Sequence, residues 1–312
     1  MNGRVGVLGG CGYIGSRLCR ALAEAGYDVR AIDRERSIQL DGAPSGARIE
    51  IAEGDLARVA DFDRLMDGVD TIVDLAYTTV PGTSMHDPAR DVLTNVATAA
   101  AWLSRLGTTG VRRVMNVSSG GTVYGIPQYL PIDEDHPTNP ICSYGITKLA
   151  IEKYTAMYAA MSDVDHVIVR PSNVFGPGQR TEGGQGLVAT VVDRAIRGEM
   201  VEVWGSGSSV RDYLFVDDAV AAIAALVAYR GPLRVFNVAT GTGRSVDDVI
   251  RSVETAIGDR VRVRRVPARG FDVPENVLCT SRIADETGWR PRTEFDAGVE
   301  RVAEYATQRR SR

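Results

Sequence analysis

Along the first half of the chain, short apolar runs alternate with longer stretches in which apolar positions recur every three or four residues. The short runs have the length of buried strands, and the stretches between them have the 3.6-residue period of helices. The pattern predicts strands over residues 4–8, 29–33, 48–52, 71–76, 113–117 and 166–170, and helices over 13–25, 59–66, 90–106 and 143–160. Such alternation makes βα units, and those make a parallel sheet covered on both faces. The expected fold class is α/β.

Beyond Pro171 the rhythm loosens. Closely spaced glycines and prolines over 173–186 predict a long loop, and long loops in compact domains often hold ligands. A helix over 187–197, strands over 201–204 and 235–238, and helices over 216–229 and 245–257 follow. Between 260 and 269 Val261, Val263 and Val266 alternate with Arg262, Arg264 and Arg265, the period of a half-exposed strand. Arg309, Arg310 and Arg312 follow a last helical segment and read as a solvated tail.

At 312 residues and 44% apolar content, the chain is long enough for a large core. A net charge of -4 gives no footprint for nucleic acid. Four cysteines without CxxC spacing and three histidines suggest neither a disulfide framework nor a metal site. The apolar segment 219–229 is too short to cross a bilayer, and the start lacks the pattern of a secretory signal. A cytoplasmic protein with a small-molecule partner and no membrane is the expectation.

The first predicted strand runs into Gly9-Gly10-Cys11-Gly12-Tyr13-Ile14-Gly15, which opens a helix. Glycines in this arrangement allow a tight turn and a close approach to a pyrophosphate, while the helix N-terminus attracts the anion. Asp33 ends the next strand, where a ribose-binding carboxylate belongs. It would repel a 2'-phosphate, favouring NAD over NADP; the neighbouring Arg34 argues the other way. The expected architecture is then a Rossmann-type doubly wound parallel sheet over 1–172, with a smaller mixed α/β C-terminal substrate lobe over 173–312. Some lobe segments, such as 235–240, return to the nucleotide domain.

Tyr144 and Lys148 stand four residues apart, on one face of a helix that Ser143 is placed to cap. A phenol titrates near ~10, too high for a base at neutral pH. A nearby ammonium and an oxidised nicotinamide would favour the phenolate, and about three units of lowering correspond to roughly 4 kcal/mol. With Gly54-Asp55-Leu56, Asn95, 118–125, 170–177 and Arg211-Asp212-Tyr213, these motifs resemble the extended short-chain dehydrogenase/reductase family, and within it the nucleotide-sugar epimerases and dehydratases. The resemblance covers nearly the whole chain.

The resemblance implies a role for each matching position. Gly9, Gly12, Tyr13, Ile14 and Gly15 would lie along the pyrophosphate, with Asp55 and Leu56 beside the adenine. Leu75, Ala76, Tyr77, Val117 and Ser172 would line the cofactor, and Asn95 would face the active site. Lys148 would hold the nicotinamide ribose and tune Tyr144. Asn173 and Arg211 would hold the substrate's phosphates, with Val203, Arg269 and Asp272 nearby. Three positions depart from the family's pattern: Leu8 replaces a threonine, Asp74 a histidine, and Gly120 the catalytic serine or threonine. Ser119 is the expected substitute for the last, with Ser118 and Thr122 as neighbours at the end of the same strand.

The dehydratases' Asp-Glu pair is replaced by Gly121 and Thr122, which leaves 4-epimerisation or 4-keto reduction. A tightly kept NAD suits the epimerase. The resemblance favours a UDP-hexose, with Asn276 leaving room for an N-acetyl group, and a homodimer through the helices 90–106 and 143–160. A non-catalytic NAD sensor is the alternative of another class, and retention of Tyr144 and Lys148 argues against it.

Overall fold

The structure, a computed structural model, describes residues 3–35, 48–181, 186–268 and 273–310. The first half delivers the βα alternation. Strands β1 (Arg4–Leu8), β2 (Asp28–Asp33), β3 (Ile49–Glu53), β4 (Thr71–Asp74), β5 (Arg113–Val117) and β6 (Asp165–Pro171) are joined by helices. These are α1 (Tyr13–Glu24), α2 (Val59–Leu65), α3 (Pro81–His86), α4 (Pro88–Asp91), α5 (Thr98–Leu103) and α6 (Ser143–Met161). Then come β7 (Asn173–Phe175), α7 (Leu187–Arg197), β8 (Val201–Trp204), β9 (Val210–Phe215), α8 (Val216–Ala228), β10 (Val235–Val238) and β11 (Gly243–Ser245). The last elements are α9 (Val246–Ile257), β12 (Val263–Val266), β13 (Glu275–Asn276), α10 (Ser281–Thr287) and α11 (Phe295–Arg310).

Seven parallel strands form the main sheet in the order β10-β6-β5-β4-β1-β2-β3. Its central strands read as near-continuous apolar runs because both faces are covered. On one side α1 and α8 pack Leu18, Leu22, Ile223 and Leu226 onto Val7, Val73 and Val169. On the other, Phe62, Trp102, Leu103 and Ile151 close over Ile72 and Val114. The order of the strands reverses between β1 and β4, which opens a crevice at their carboxyl ends. The segment 235–238, distant in sequence, fills the sheet's edge beside β6.

The second layer of structure gathers β7, β9, β11 and β13 into a small sheet and pairs β8 with β12. Val191, Val249, Phe215 and Val299 form its core with α7, α9 and α11.

Three expectations change. The helix over 90–106 is divided: six residues, Val92–Ala97, form a π-helix between α4 and α5, and a 3-10 turn follows at Leu106–Thr108. The loop over 173–186 begins as strand β7, parallel to β9, because Val174 and Phe175 have apolar faces to bury there. The basic strand shrinks to four residues, and Val263 is exposed rather than inward. It pairs only with β8, so its outer edge and one face meet solvent.

Candidate active site

The crevice holds a cavity of about 680 Å³. The glycine loop forms one wall. Gly9 takes φ +74°, and a Cβ on Gly15 would fall 2.1 Å from Gly9 O, so α1 starts directly on the turn. A Cβ on Gly12 would meet only Gly9 O, at 3.1 Å, and no side chain caps α1. Its first-turn amides are therefore offered to the cavity, where an anion is favoured. Asp33 Oδ2 accepts from Cys11 N at 3.2 Å and Oδ1 from Arg34 N at 2.8 Å, which fixes a carboxylate beside the loop. Arg34 itself is exposed. These residues fit a dinucleotide whose adenosine ribose keeps its 2'-hydroxyl.

The opposite wall carries the chemistry. Tyr144 and Lys148 stand one turn apart on α6 and both line the cavity. Lys148 Nζ donates to Val117 O at 2.9 Å and lies 4.0 Å from the Tyr77 ring centroid and 5.8 Å from that of Tyr144. Burial lowers the Lys148 ammonium to about 8, against the opposing pull of Asp74, Glu152 and Asp91. Asp74 is buried, accepts from Ala76 N and Asn116 Nδ2, and is raised by burial to about 6, with Lys148 drawing it back. So Asp74, where relatives carry histidine, is the largest counter-charge to Lys148.

The expected lowering of Tyr144 is not a property of the chain alone. Burial pushes the phenol up, and Cys142 and Asp91 push it further. Nor does Ser143 cap its helix: Cys142 is the capping position, and Ser143 Oγ donates to Asp91 Oδ2 at 2.8 Å.

The fully buried Asp91 was invisible in the sequence reading. Its Oδ1 accepts from Thr79 Oγ1 at 2.5 Å, Asn95 Nδ2 at 2.9 Å and Tyr77 OH at 3.4 Å. Its Oδ2 accepts from Ser143 Oγ and, at 3.0 Å, Thr147 Oγ1. Thr147 also bonds Tyr77 OH, and the Tyr77 ring meets that of Tyr144 edge-on at 5.0 Å. One carboxylate thus joins α4, the 77–79 segment and α6 beneath the reactive pair. The only sequence signal was Asp91 standing one helical turn before Asn95.

Gly120 is small for a reason. A Cβ there would sit 2.5 Å from Leu278 Cδ1 and 2.9 Å from Arg170 O, leaving no place for the serine or threonine of relatives. Ser118, Ser119 and Thr122 all line the cavity, and the hydroxyls of Ser118 and Thr122 are buried without a partner among the described residues.

Leu75, Tyr77, Val117, Ser172, Asn173, Val203 and Arg211 line the same cavity. Asn173 Nδ2 donates to Asp212 O, and the Asp212 carboxylate takes Ser172, Thr240 and Gly241 as donors. Asp33, Arg34, Asp55, Leu56 and Ala76 lie outside its lining. Asp55 Oδ1 accepts from Ala57 N, and Leu56 and Ala76 pack on the core beneath. Asn95 does not face the cavity: it is buried behind the wall, accepting from Thr78 N and donating to Asp91. Asn276 is buried on β13 with Nδ2 bonded to Gly120 O, so it makes no room for an acetyl group. Arg269 and Asp272 lie outside the described residues.

A glycine loop, a ribose-height carboxylate and a Tyr–Lys pair thus face one another across the switch point. The sequence model of the NAD dependent epimerase/dehydratase family matches residues 5–239. The chain belongs to that family. Among family relatives, the UDP-glucose 4-epimerase of Mycolicibacterium smegmatis is 32% identical, with 96% of this chain and 97% of that protein covered. The UDP-glucose 4-epimerase of Thermotoga maritima, solved with UDP-glucose, superposes with TM-score 0.89 at 29% identity, covering 98% and 99% of the two chains. That of Thermus thermophilus, solved with NAD, gives 0.87 at 27%, covering 97% and 99%. No helix among the described residues is long and apolar enough to cross a membrane.

Proposed function

We propose that the chain is an NAD-dependent 4-epimerase of a UDP-hexose, working through a 4-keto sugar. The observation that carries this reading is the pairing of Tyr144 and Lys148 on the wall that faces the glycine loop. Bound NAD supplies a hydride acceptor that gives the hydride back within the same turnover. Tyr144 takes the proton of the sugar 4-hydroxyl and returns it. Because burial alone holds the phenol protonated, its activation depends on positive charge brought close to it, and Lys148 stays beside it as one such charge. Ser119, flanked by Ser118 and Thr122, supplies the hydroxyl that holds the reacting oxygen. Asn173 and Arg211 hold the diphosphate, a task suited to a planar guanidinium. The enzyme works in the cytoplasm as a homodimer.

The test incubates purified protein, without added cofactor, with UDP-glucose, UDP-N-acetylglucosamine and UDP-glucuronate separately, and follows products by chromatography with mass detection. A new peak of unchanged mass supports the epimerase and names the sugar. A product lighter by water or carbon dioxide, or no product until NADH or NADPH is supplied, overturns it. Tyr144→Phe should lose at least about a hundredfold in turnover while still binding NAD.

A further inference from the structure

The widest cavity among the described residues is a different one. It measures about 1180 Å³ and lies between α1, the turn after β7, α7 and α11. Arg17, Arg20, Arg180, Arg197, Arg309 and Arg310 line it, against one carboxylate, Asp193. The chain carries a net charge of -4, so this gathering does not follow from a basic composition.

Some of these guanidinium groups are engaged. Arg197 Nε lies 3.1 Å from Asp193 Oδ1, and Arg17 donates to the carbonyls of Tyr13 at 2.8 Å and Pro177 at 2.6 Å. Arg180 and Arg309 make neither an ion pair nor a hydrogen bond among the described residues. At the floor, a Cβ on Gly178 would lie 3.6 Å from Tyr305 OH and 3.7 Å from Arg17 Nη2, so two donors converge on one turn.

Like charges around a concavity raise the local potential and draw anions into it. Guanidinium forks match phosphate oxygens in pairs, and a space of this size exceeds what a single carboxylate needs. It reaches the upper end of pockets that hold cofactor-sized molecules, roughly 300–1,000 Å³. We propose that this cleft is a second binding site, for a small molecule bearing an oligophosphate chain, of the nucleoside triphosphate class. Gly176 and Gln179 line both cavities, and Arg17 lies 4.7 Å from the ring centroid of Tyr13 in the wall of the first. A phosphate drawn onto Arg17 therefore bears on the wall of the dinucleotide site.

The test titrates inorganic tripolyphosphate and, separately, ATP into NAD-loaded protein saturated with UDP-glucose, by calorimetry. The protein is wild type or carries Arg180→Glu with Arg309→Glu. One further site is expected in the wild type, weakened at least tenfold in the double variant and steeply by salt. Basal turnover and melting temperature of the variant should stay those of the wild type. The milder Arg180→Gln with Arg309→Gln should weaken binding by less, which guards against misfolding as the cause. Tighter binding of ATP gives the base a share in recognition, and equal binding assigns it to the phosphates; both support the site. No added binding in the wild type, or binding that survives both double variants, overturns it.

Discussion

Asp91→Asn isolates the carboxylate that joins three segments under the reactive pair. The change keeps volume but offers one acceptor oxygen where the carboxylate has two. With that oxygen on the Oδ1 side, Thr79 and Asn95 keep their acceptor, and the new amide faces the hydroxyls of Ser143 and Thr147. Those hydroxyls can rotate to accept. Every bond then falls from charge-assisted to neutral, a loss of about 1 kcal/mol for each of four short bonds before coupling between them is counted. A net loss of about 2–4 kcal/mol follows, and a melting temperature lower by about 5–10 °C. A second effect separates positioning from mere stability. Asp91 raises both Tyr144 and Lys148, so removing its charge lowers both. The rising limb of kcat/KM against pH, set by the phenol, and the falling limb, set by the ammonium, should both move to lower pH. The assay follows epimer formation across pH 5–10 beside thermal melts. A melting temperature that falls with an unmoved pH optimum would refute the electrostatic half of the reasoning; no change in either would refute all of it.

Asp74→Asn removes the largest opposing charge on Lys148, so the falling limb should move below about 8, read from kcat against pH. Lys148 is itself depressed from its ordinary 10.5 to about 8, so the folded chain binds fewer protons than the unfolded one in that window, and stability rises as pH rises through it. Lys148→Met should therefore raise the urea midpoint at pH 7, by at most about 3 kcal/mol before the lost Val117 bond is counted, and the gain should vanish towards pH 10. Glu152→Ala leaves the guanidinium of Arg170, buried and held by Glu152 at 3.0 and 2.7 Å, with Tyr124 OH as its remaining side-chain partner. Breaking such a pair costs about 3–5 kcal/mol, to be read from urea unfolding at pH 7; a loss under about 1 kcal/mol would show that the pair is not buried in solution.

The elements that could be read from the sequence are those whose signal is local. The runs 4–8 and 113–117 became β1 and β5, and Leu187–Arg197 became α7, because period and burial agree within one segment. Gly9 to Gly15, Tyr144 and Lys148 were legible because their spacing is their chemistry. What escaped depends on partners far apart in the chain. Nothing near Asp91 announces that Ser143 and Thr147 will reach it, and nothing near Gly120 announces Leu278. The short helix α3 was missed because its six residues carry too little period. Asn276 was misplaced because its register with Arg211 is set by strand pairing, not by its neighbours.

The π-helical turn of Val92–Ala97 acts as a hidden spacer. Upstream, Asp91 serves the reactive wall; downstream, Ala99, Trp102 and Leu103 serve the core. An α-helix turns about 100° per residue, so one residue more or less in this stretch sets which way everything after it points. Deleting one residue here would tighten the backbone into ordinary α geometry and swing Trp102 out of register with Phe62, its stacking partner. The segment should therefore accept changes of letter far more readily than changes of length.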